Sequence, residues 1–353
     1  MNHGRNFDMD RGTAMWPEQI PTEWRRRMQY AAPSLRDTLP EPYRSADLGR
    51  LLVEPLRRQC EISPEESFVQ PPGFCDDPLH ERRDDNDHKD SGDGSDSALL
   101  KKYAGRALIV TEAGCAIHCR FCFRRHRCVS SQRPFSERFA DAMAVIGRDP
   151  DCHEVILSGG DPLMESDSTF AAQVAQIATI PSVRRIRIHT RIPIVWPERV
   201  TDEFCGILRG IRSQAGAVSV GSASATVFIV VHVNHPAELA PVFGDGPAKA
   251  LGRLTDAGIP VLSQTTLLRG VNDSAGTLAT LLEMLIDHRV IPYYLHQLDC
   301  VAGAAHFETP VAEGRRIMKQ LRYRLPGYAI PRYVRELPGE PCKTPLDGPG
   351  VDV

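Results

Sequence analysis

The strongest constraint on the fold is a regular alternation, from Tyr103 onward, of short β-branched runs with stretches long enough to form helices. Six strand–helix units are predicted, with strands at 107–111, 154–157, 185–189, 227–233, 260–266 and 292–297. Strands separated by helices usually pair in parallel, so the pattern predicts an α/β fold. A partial (β/α)6 barrel fits better than a doubly wound sheet, because the chemically distinctive residues fall at the carboxyl ends of strands, where barrel sites lie.

Composition divides the chain into four regions. Residues 1–75 are rich in proline and arginine and predict a small helical region, with an amphipathic helix over 47–59. Residues 76–98 are acidic and have almost nothing apolar to bury, which predicts a mobile loop, with a cation-binding loop as the alternative. The barrel is expected over 99–330, and residues 331–353 form a C-terminal segment.

Three cysteines, Cys115, Cys119 and Cys122, form a CxxxCxxC motif directly after the first predicted barrel strand. Thiolates are the usual protein ligands of iron–sulfur clusters, and three of them on a four-iron cluster leave one iron open to a small molecule. A zinc site, a disulfide or three unrelated thiols are the alternatives. The other seven cysteines show no repeating spacing, as expected of reduced thiols. The motif therefore favours a cluster.

A glycine-rich turn follows the second barrel strand and consists of Ser158, Gly159, Gly160 and Asp161. Glycines allow a backbone to approach a ligand closely, although a Gly-Gly pair after a strand is more often an ordinary turn. Its position one strand beyond the cysteine motif favours a binding role.

Size and charge agree with a cytoplasmic enzyme. The 353 residues are 42% hydrophobic and carry a net charge of −3, which permits a large core and argues against a nucleic-acid surface. The sequence has no apolar run near the roughly 20 residues that span a bilayer, and no signal-peptide pattern at its start. Neither nucleic acid nor a membrane is therefore expected as a partner.

The cysteine motif and the glycine-rich turn resemble those of the radical S-adenosylmethionine (SAM) superfamily. Further segments resemble the lysine 2,3-aminomutases, most closely the EpmB type, which makes β-lysine for modification of elongation factor P. The resemblance covers roughly residues 72–346. The segments that carry it are 102–108, 115–126, 157–163, 190–193, 232–236, 266–273, 293–307 and 339–346.

The resemblance implies three cofactors, a [4Fe-4S] cluster, SAM and pyridoxal 5′-phosphate (PLP), and a role for each matching residue. Lys343 matches the lysine that forms the internal Schiff base with PLP. Arg124 matches the group that binds the substrate α-carboxylate, while Asp299 and Glu336 match the acids that hold the distal ammonium. The cofactor-binding positions that match are Tyr103, Arg191 and Gln264 around PLP, and Ser158, Gly159, Gly160, Asp161 and His232 on the SAM side.

The implied reaction is the isomerisation of L-lysine to (R)-β-lysine by 2,3-amino migration. Expected partners are L-lysine, an electron donor such as flavodoxin or ferredoxin, and functionally elongation factor P with its β-lysine ligase. Glu336 departs from the Asp of clostridial-type enzymes but agrees with the EpmB type. The ten residues after Lys343 contain no cysteine or histidine for the structural zinc of clostridial-type enzymes. Alternatives are an aminomutase for another amino acid or for free β-amino acid synthesis, and a non-catalytic iron–sulfur protein.

Overall fold

In the part of the chain that the structure describes, nine strands form one sheet whose spatial order follows the chain from β1 to β9. The computed structural model describes residues 24, 46–61, 71–81, 97–111, 114–126, 133–213, 225–241 and 244–348. The strands are β1 (Leu99–Leu100), β2 (Arg106–Thr111), β3 (Glu154–Gly159), β4 (Arg185–Thr190), β5 (Thr226–His232), β6 (Val261–Thr266), β7 (Ile291–His296), β8 (Arg332–Arg335) and β9 (Thr344–Pro345).

Helices connect most of the parallel strands. They are α1 (Ala46–Arg58), α2 (Phe135–Gly147), α3 (Asp167–Ala178), the short α4 (Ile192–Val195), α5 (Asp202–Ser213), α6 (Gly246–Asp256), α7 (Ala275–Asp287) and α8 (Val311–Arg324). Of the helices that the structure describes, side-chain caps begin three: Ser166 Oγ accepts from Thr169 N at 3.2 Å, Thr201 Oγ1 from Phe204 N at 3.1 Å, and Ser274 Oγ from Thr277 N at 3.1 Å. Among the described residues, none of the helices is long and apolar enough to cross a membrane.

The predicted α/β architecture is confirmed, and all six predicted barrel strands are present. The structure adds a seventh parallel strand, β8, which pairs with β7. The sequence analysis missed β8 because it is only four residues long, Arg-Tyr-Val-Arg, and begins and ends on a charged side chain. Antiparallel strands β1 and β9 close the two edges of the sheet. The helix expected over 47–59 is α1, whereas residues 82–96 of the expected mobile loop lie outside the described residues.

Side chains alternate between the two faces of the sheet, as the strand period of two requires. On β4, Ile186 and Ile188 are fully buried in the main hydrophobic core, which also contains Phe170 of α3 and Phe204 of α5. Arg187, which lies between them on β4, faces the barrel interior and pairs with Glu154 of β3. The outer face therefore stabilises the fold, and the inner face carries polar groups.

The sheet is strongly curled. Six strand spacings of about 4.8 Å would separate β2 from β8 by about 29 Å if the sheet were flat. Yet Lys102, in the turn that leads into β2, places its Nζ 3.0 Å from Oε1 of Glu336, which directly follows β8. The curl makes an incomplete barrel and brings polar side chains from its first and last parallel strands into one interior.

Gly314 provides a test of this packing. It lies in α8, where a Cβ would fall 2.1 Å from the hydroxyl of Tyr333, a fully buried side chain of β8. We expect Gly314→Ala to destabilise the protein by about 1–3 kcal/mol, as overpacking does. Gly252→Ala in α6 is the matched control, because a Cβ there meets no atom within 4 Å. It should stabilise the protein by about 0.5–1 kcal/mol, the usual gain from helical Gly to Ala. Urea unfolding of both variants measures the two changes, and equal effects would contradict the packing argument.

Candidate active site

The three cysteines of the motif lie on one loop that follows β2. Cys122 N donates to Cys119 O at 3.0 Å, which makes a tight turn between the last two cysteines. Burial is the main cause that raises the pKa of Cys115, and the negative charges of Asp161 and of the other two thiolates add to it. Burial and the neighbouring Cys119 thiolate raise the pKa of Cys122 to about 11. The three cysteines are half-buried, and Cys115 and Cys122 each lie close enough to a second thiol to be repelled by it as thiolates. A cationic iron cluster relieves that repulsion, so the loop fits a cluster.

No group of three or more acidic, cysteine or histidine side chains in the described ranges is arranged to hold a metal ion. That finding does not conflict with a cubane cluster, in which each thiolate binds a different iron.

The glycine-rich turn lies against the cysteine loop. Gly159 has a φ of +130°, and a Cβ there would lie 2.5 Å from Thr111 O, so only glycine fits this position beside β2. The Asp161 carboxylate accepts from Thr190 Oγ1 at 2.7 Å and from Arg191 N at 2.6 Å. Asp161 thus ties the turn to the end of β4.

Arg191 lies at the cysteine loop. Its Nη1 donates to Cys119 Sγ at 2.8 Å, and its Nη2 pairs with Glu238 Oε2 at 3.1 Å. The sequence resemblance implies a position for Arg191 beside PLP, and the contact with Cys119 adds a second neighbour, the middle cysteine of the motif.

Arg124 connects the glycine-rich turn to a residue that the sequence analysis did not single out. Its Nη1 donates to Ser158 Oγ at 3.0 Å, while Nε and Nη2 form a two-pronged pair with Glu81 at 2.7 and 3.0 Å. The side chains of Arg124 and Glu81 are only 10% and 5% exposed. Glu81 belongs to the acidic stretch 76–98, where charge density alone gave no signal that one carboxylate is buried.

Lys343 lies inside the barrel and pairs with Glu336. Lys102 bridges the same Glu336 at 3.0 Å and Glu81 at 3.3 Å. Burial alone would raise the pKa of Glu336, but Lys343 and Lys102 outweigh it and lower that pKa to about 2. Glu336 is therefore a carboxylate at neutral pH, held between two ammonium groups.

Asp299 shares this pocket but titrates differently. Burial, followed by the negative charge of Glu336, raises the pKa of Asp299 to about 7. The two acids predicted to hold one ammonium thus lie together, with Glu336 charged and Asp299 half-protonated near neutral pH. Such a separation of pKa values between neighbouring acids is typical of functional sites.

Histidines and a tyrosine line the barrel interior between the cysteine loop and the pocket around Lys343. Burial and the positive charge of Arg191 lower the pKa of His232 to about 3. Burial and the positive charge of Lys343 lower the pKa of His296 to about 3, so both imidazoles are neutral. Tyr103 hydrogen-bonds Glu336, and burial raises its pKa. Gln264 pairs in register with His232 on neighbouring strands. His189 Nε2 is buried without a hydrogen-bond partner, which leaves a polar atom available to a bound group.

The predicted residues therefore form two groups inside one barrel. The first surrounds the cysteines and includes Arg191, Asp161 and His232, whose ring meets Phe121 edge-on at 5.6 Å. The second surrounds Lys343 and includes Tyr103, Asp299 and Glu336, while Arg124 and Ser158 lie at the glycine-rich turn. Residues that the sequence analysis missed are Gln59, Glu81, Lys102 and Glu238. Of these, only Lys102 had a signal, since it begins a segment that carried the resemblance.

Comparison with known proteins decides the family. An L-lysine 2,3-aminomutase of Escherichia coli K12 is 39% identical over 294 residues, which are 83% of this chain and 78% of that protein. The chain belongs to the L-lysine 2,3-aminomutase family. The relative from Haemophilus influenzae is 38% identical over 78% of this chain and 75% of its own length. That from Clostridium subterminale is 35% identical over 77% of this chain and 59% of its own length.

Residues 104–189 also match the family model described as a 4Fe-4S single cluster domain, a segment that contains all three motif cysteines. The expected enzyme class, an isomerase, is confirmed, and the expected cofactors are those of this family. Among solved structures, a radical SAM methyltransferase from Sphaerobacter thermophilus gives a TM-score of 0.44 at 20% identity, over 67% of this chain and 68% of that one. A likeness at that score carries no weight beside the family match.

The Asp299 carboxyl provides a pH test of the site. Since its pKa is raised to about 7, the carboxyl is neutral below pH 7 and negative above it. An ordinary aspartate is already negatively charged throughout pH 5–7. We expect a protonated carboxyl band in infrared difference spectra of wild type minus Asp299→Asn, lost with a midpoint near pH 7. Glu336→Gln should move that midpoint lower, because it removes the neighbouring negative charge. A midpoint near pH 4 in the wild type would contradict the buried environment.

Proposed function

We propose that the protein is a radical SAM, PLP-dependent lysine 2,3-aminomutase that converts L-lysine to (R)-β-lysine for modification of elongation factor P. The observation that carries the proposal is the pocket around Lys343, where an amine, a carboxylate and a half-protonated acid lie in the same barrel as the cluster cysteines. Family membership supports the reaction, and the resemblance to the EpmB type supports the product and its use.

Each cofactor has residues that fit it. Cys115, Cys119 and Cys122 would hold the cluster, the turn from Ser158 to Asp161 with His232 would hold SAM, and Lys343 would hold PLP. When bound, the cluster and SAM supply a radical that breaks an unactivated C–H bond, and PLP supplies the carbon that carries the migrating nitrogen. The protein groups bind, orient and shield the reactants.

Charge exchange explains how the pocket accepts lysine. Were Lys343 to hold PLP, its nitrogen would be committed to the cofactor, and Glu336 would have one ammonium partner fewer. The distal ammonium of lysine can replace that cation, with Asp299 as a second acceptor once deprotonated. The side chains of Lys343 and Glu336 are 21% and 16% exposed, so an ammonium bound there is largely shielded from water.

The substrate carboxylate requires a second exchange, at Arg124. Nε and Nη2 of Arg124 already bind Glu81, so a substrate carboxylate must displace Glu81 to obtain a two-pronged pair. Lys102, which lies 3.3 Å from Glu81, can retain the displaced carboxylate inside the barrel. The described groups therefore mimic the charges of the substrate before it binds.

The deciding experiment is an anaerobic assay of the reconstituted protein with SAM, PLP, dithionite and L-lysine. We expect β-lysine of R configuration, resolved from α-lysine by chiral chromatography and mass spectrometry, with SAM preserved. Cleavage of SAM without β-lysine would move the substrate to another amino acid, for which arginine, glutamate and alanine are tested in parallel. An intact cluster with neither product would overturn the enzyme assignment.

Lys343→Ala tests the PLP role. Because the variant removes the only amine proposed to hold PLP, we expect turnover to be lost while the cluster absorbance remains. Cys119→Ala is the contrasting variant and should remove the cluster itself. Full activity of Lys343→Ala would show that PLP is held elsewhere or is not required.

Glu81→Gln tests the charge exchange at Arg124. A neutral amide competes less well than a carboxylate for a guanidinium, by roughly 1–1.5 kcal/mol, which corresponds to about a tenfold lower KM for lysine. Glu61→Gln is the matched control, since Glu61 pairs with Arg57 on the surface, and its KM should not change. A higher KM in Glu81→Gln would mean that Glu81 supports substrate binding rather than competing with it.

An electron donor such as flavodoxin or ferredoxin, a cytoplasmic location and a functional link to the β-lysine ligase complete the proposal. They rest on the reaction itself. The cluster must receive an electron from outside the chain, and the modification of elongation factor P consumes β-lysine where translation occurs.

A further inference from the structure

We propose that Arg191 is a positioning residue that raises the reduction potential of the iron–sulfur cluster by donating a hydrogen bond to the Cys119 sulfur. The inference rests on Cys119 as a cluster ligand, and it does not depend on which amino acid is the substrate. It gives Arg191 a role different from the PLP contact implied by sequence resemblance.

The contact is direct and buried. Arg191 Nη1 lies 2.8 Å from Cys119 Sγ, and the side chain of Arg191 is only 6% exposed. Water therefore does not screen the guanidinium from the sulfur, and the full charge acts on it through a low-dielectric interior.

A buried network holds the guanidinium in this position. Arg191 Nη2 donates to Gln59 Oε1 at 2.6 Å and pairs with Glu238 Oε2 at 3.1 Å. Glu238 is fully buried, and its Oε1 accepts from Asn234 N at 2.9 Å and His235 N at 3.0 Å. Each partner is thus fixed by the backbone after β5 or by the end of α1, so the side chain of Arg191 has little freedom to turn away.

Two aromatic rings restrict the guanidinium further. Its central carbon lies 5.2 Å from the ring centre of Trp24 and 5.9 Å from that of Phe121. Phe121 stands between two cysteines of the motif, so the same ring contacts both the cluster loop and Arg191. The geometry is preorganised for the sulfur.

The direction of the effect follows from charge. Cluster reduction takes up one electron from an external one-electron donor, and no bond forms or breaks in that step. The reduced cluster carries one more negative charge, which a cation and a hydrogen bond on a ligand sulfur stabilise. Glu238 opposes this effect but lies at Nη2, whereas Nη1 meets the sulfur, so the positive end of the ion pair faces the cluster.

The test is an EPR-monitored redox titration of the reconstituted full-length protein without SAM or substrate. We expect Arg191→Gln to reduce the equilibrium constant for cluster reduction about tenfold, a shift of about 59 mV to more negative potential. Glu238→Gln should shift the potential in the opposite direction, because it removes a negative charge and leaves the hydrogen bond to sulfur possible. Arg191→Lys, which keeps the charge, should lie between wild type and Arg191→Gln.

Arg187→Gln is the matched control. Arg187 is also buried on β4 and paired with a carboxylate, but it lies four residues before Arg191, about 13 Å along the strand, away from the cysteine loop. Its removal should leave the potential unchanged.

An unchanged potential in Arg191→Gln, or shifts of the same sign in Arg191→Gln and Glu238→Gln, would overturn the proposal, since a merely structural loosening does not depend on charge sign. If iron analysis shows that Arg191→Gln does not retain the cluster, Glu238→Gln decides. A more positive potential supports the proposal, and an unchanged or more negative one overturns it.

Discussion

Charge pairing across the barrel interior is the constraint on which the arrangement of this protein depends. An isolated charge that leaves water costs several kcal/mol or more, so each buried cation needs a carboxylate nearby. Within the described ranges, the pairs that meet this need include Arg124 with Glu81, Arg187 with Glu154, Arg191 with Glu238, and Lys343 with Glu336. Three of them join segments distant in the chain, so the curl of the sheet and the charges inside it support each other.

The same pairing prepares the pocket for a substrate with three charged groups. In the proposed function, the carboxylate of lysine takes the place of Glu81 at Arg124, and its distal ammonium takes the place of Lys343 at Glu336. Protein groups thus hold the site in the charge pattern of the bound state, and substrate binding exchanges partners rather than burying new unpaired charges. Such preorganisation reduces the cost of ordering the site when the substrate arrives.

The barrel also separates two kinds of chemistry. The cysteine loop, Arg191 and His232 form one end of the site, and Lys343 with its acids forms the other. His296 lies between the two ends. Burial and Lys343 lower the pKa of His296, and His296 in turn contributes to the lowered pKa of His232. With both histidines neutral, the space between the two ends carries little fixed charge. In the proposed function, that space would receive the reacting carbons of the substrate.

Local sequence was sufficient to predict much of this protein. Patterns that span a few residues predict the six main barrel strands, the cysteine loop and the glycine-rich turn. Within that turn, Gly159 is required because its backbone lies against Thr111 of the neighbouring strand β2. The seventh parallel strand was not predictable in the same way, because four residues with charged ends carry too little apolar periodicity.

The sequence by itself determined the positions of the six main barrel strands, the cluster motif and the family to which the chain belongs. Only the tertiary structure decided which charges meet. Arg191 pairs with Gln59 across 132 positions, Lys102 with Glu336 across 234, and Arg124 with Glu81 across 43. Sequence periodicity describes which face of a strand a residue occupies, but the curl of the sheet determines which residues on that face come into contact, and that curl is a property of all strands together.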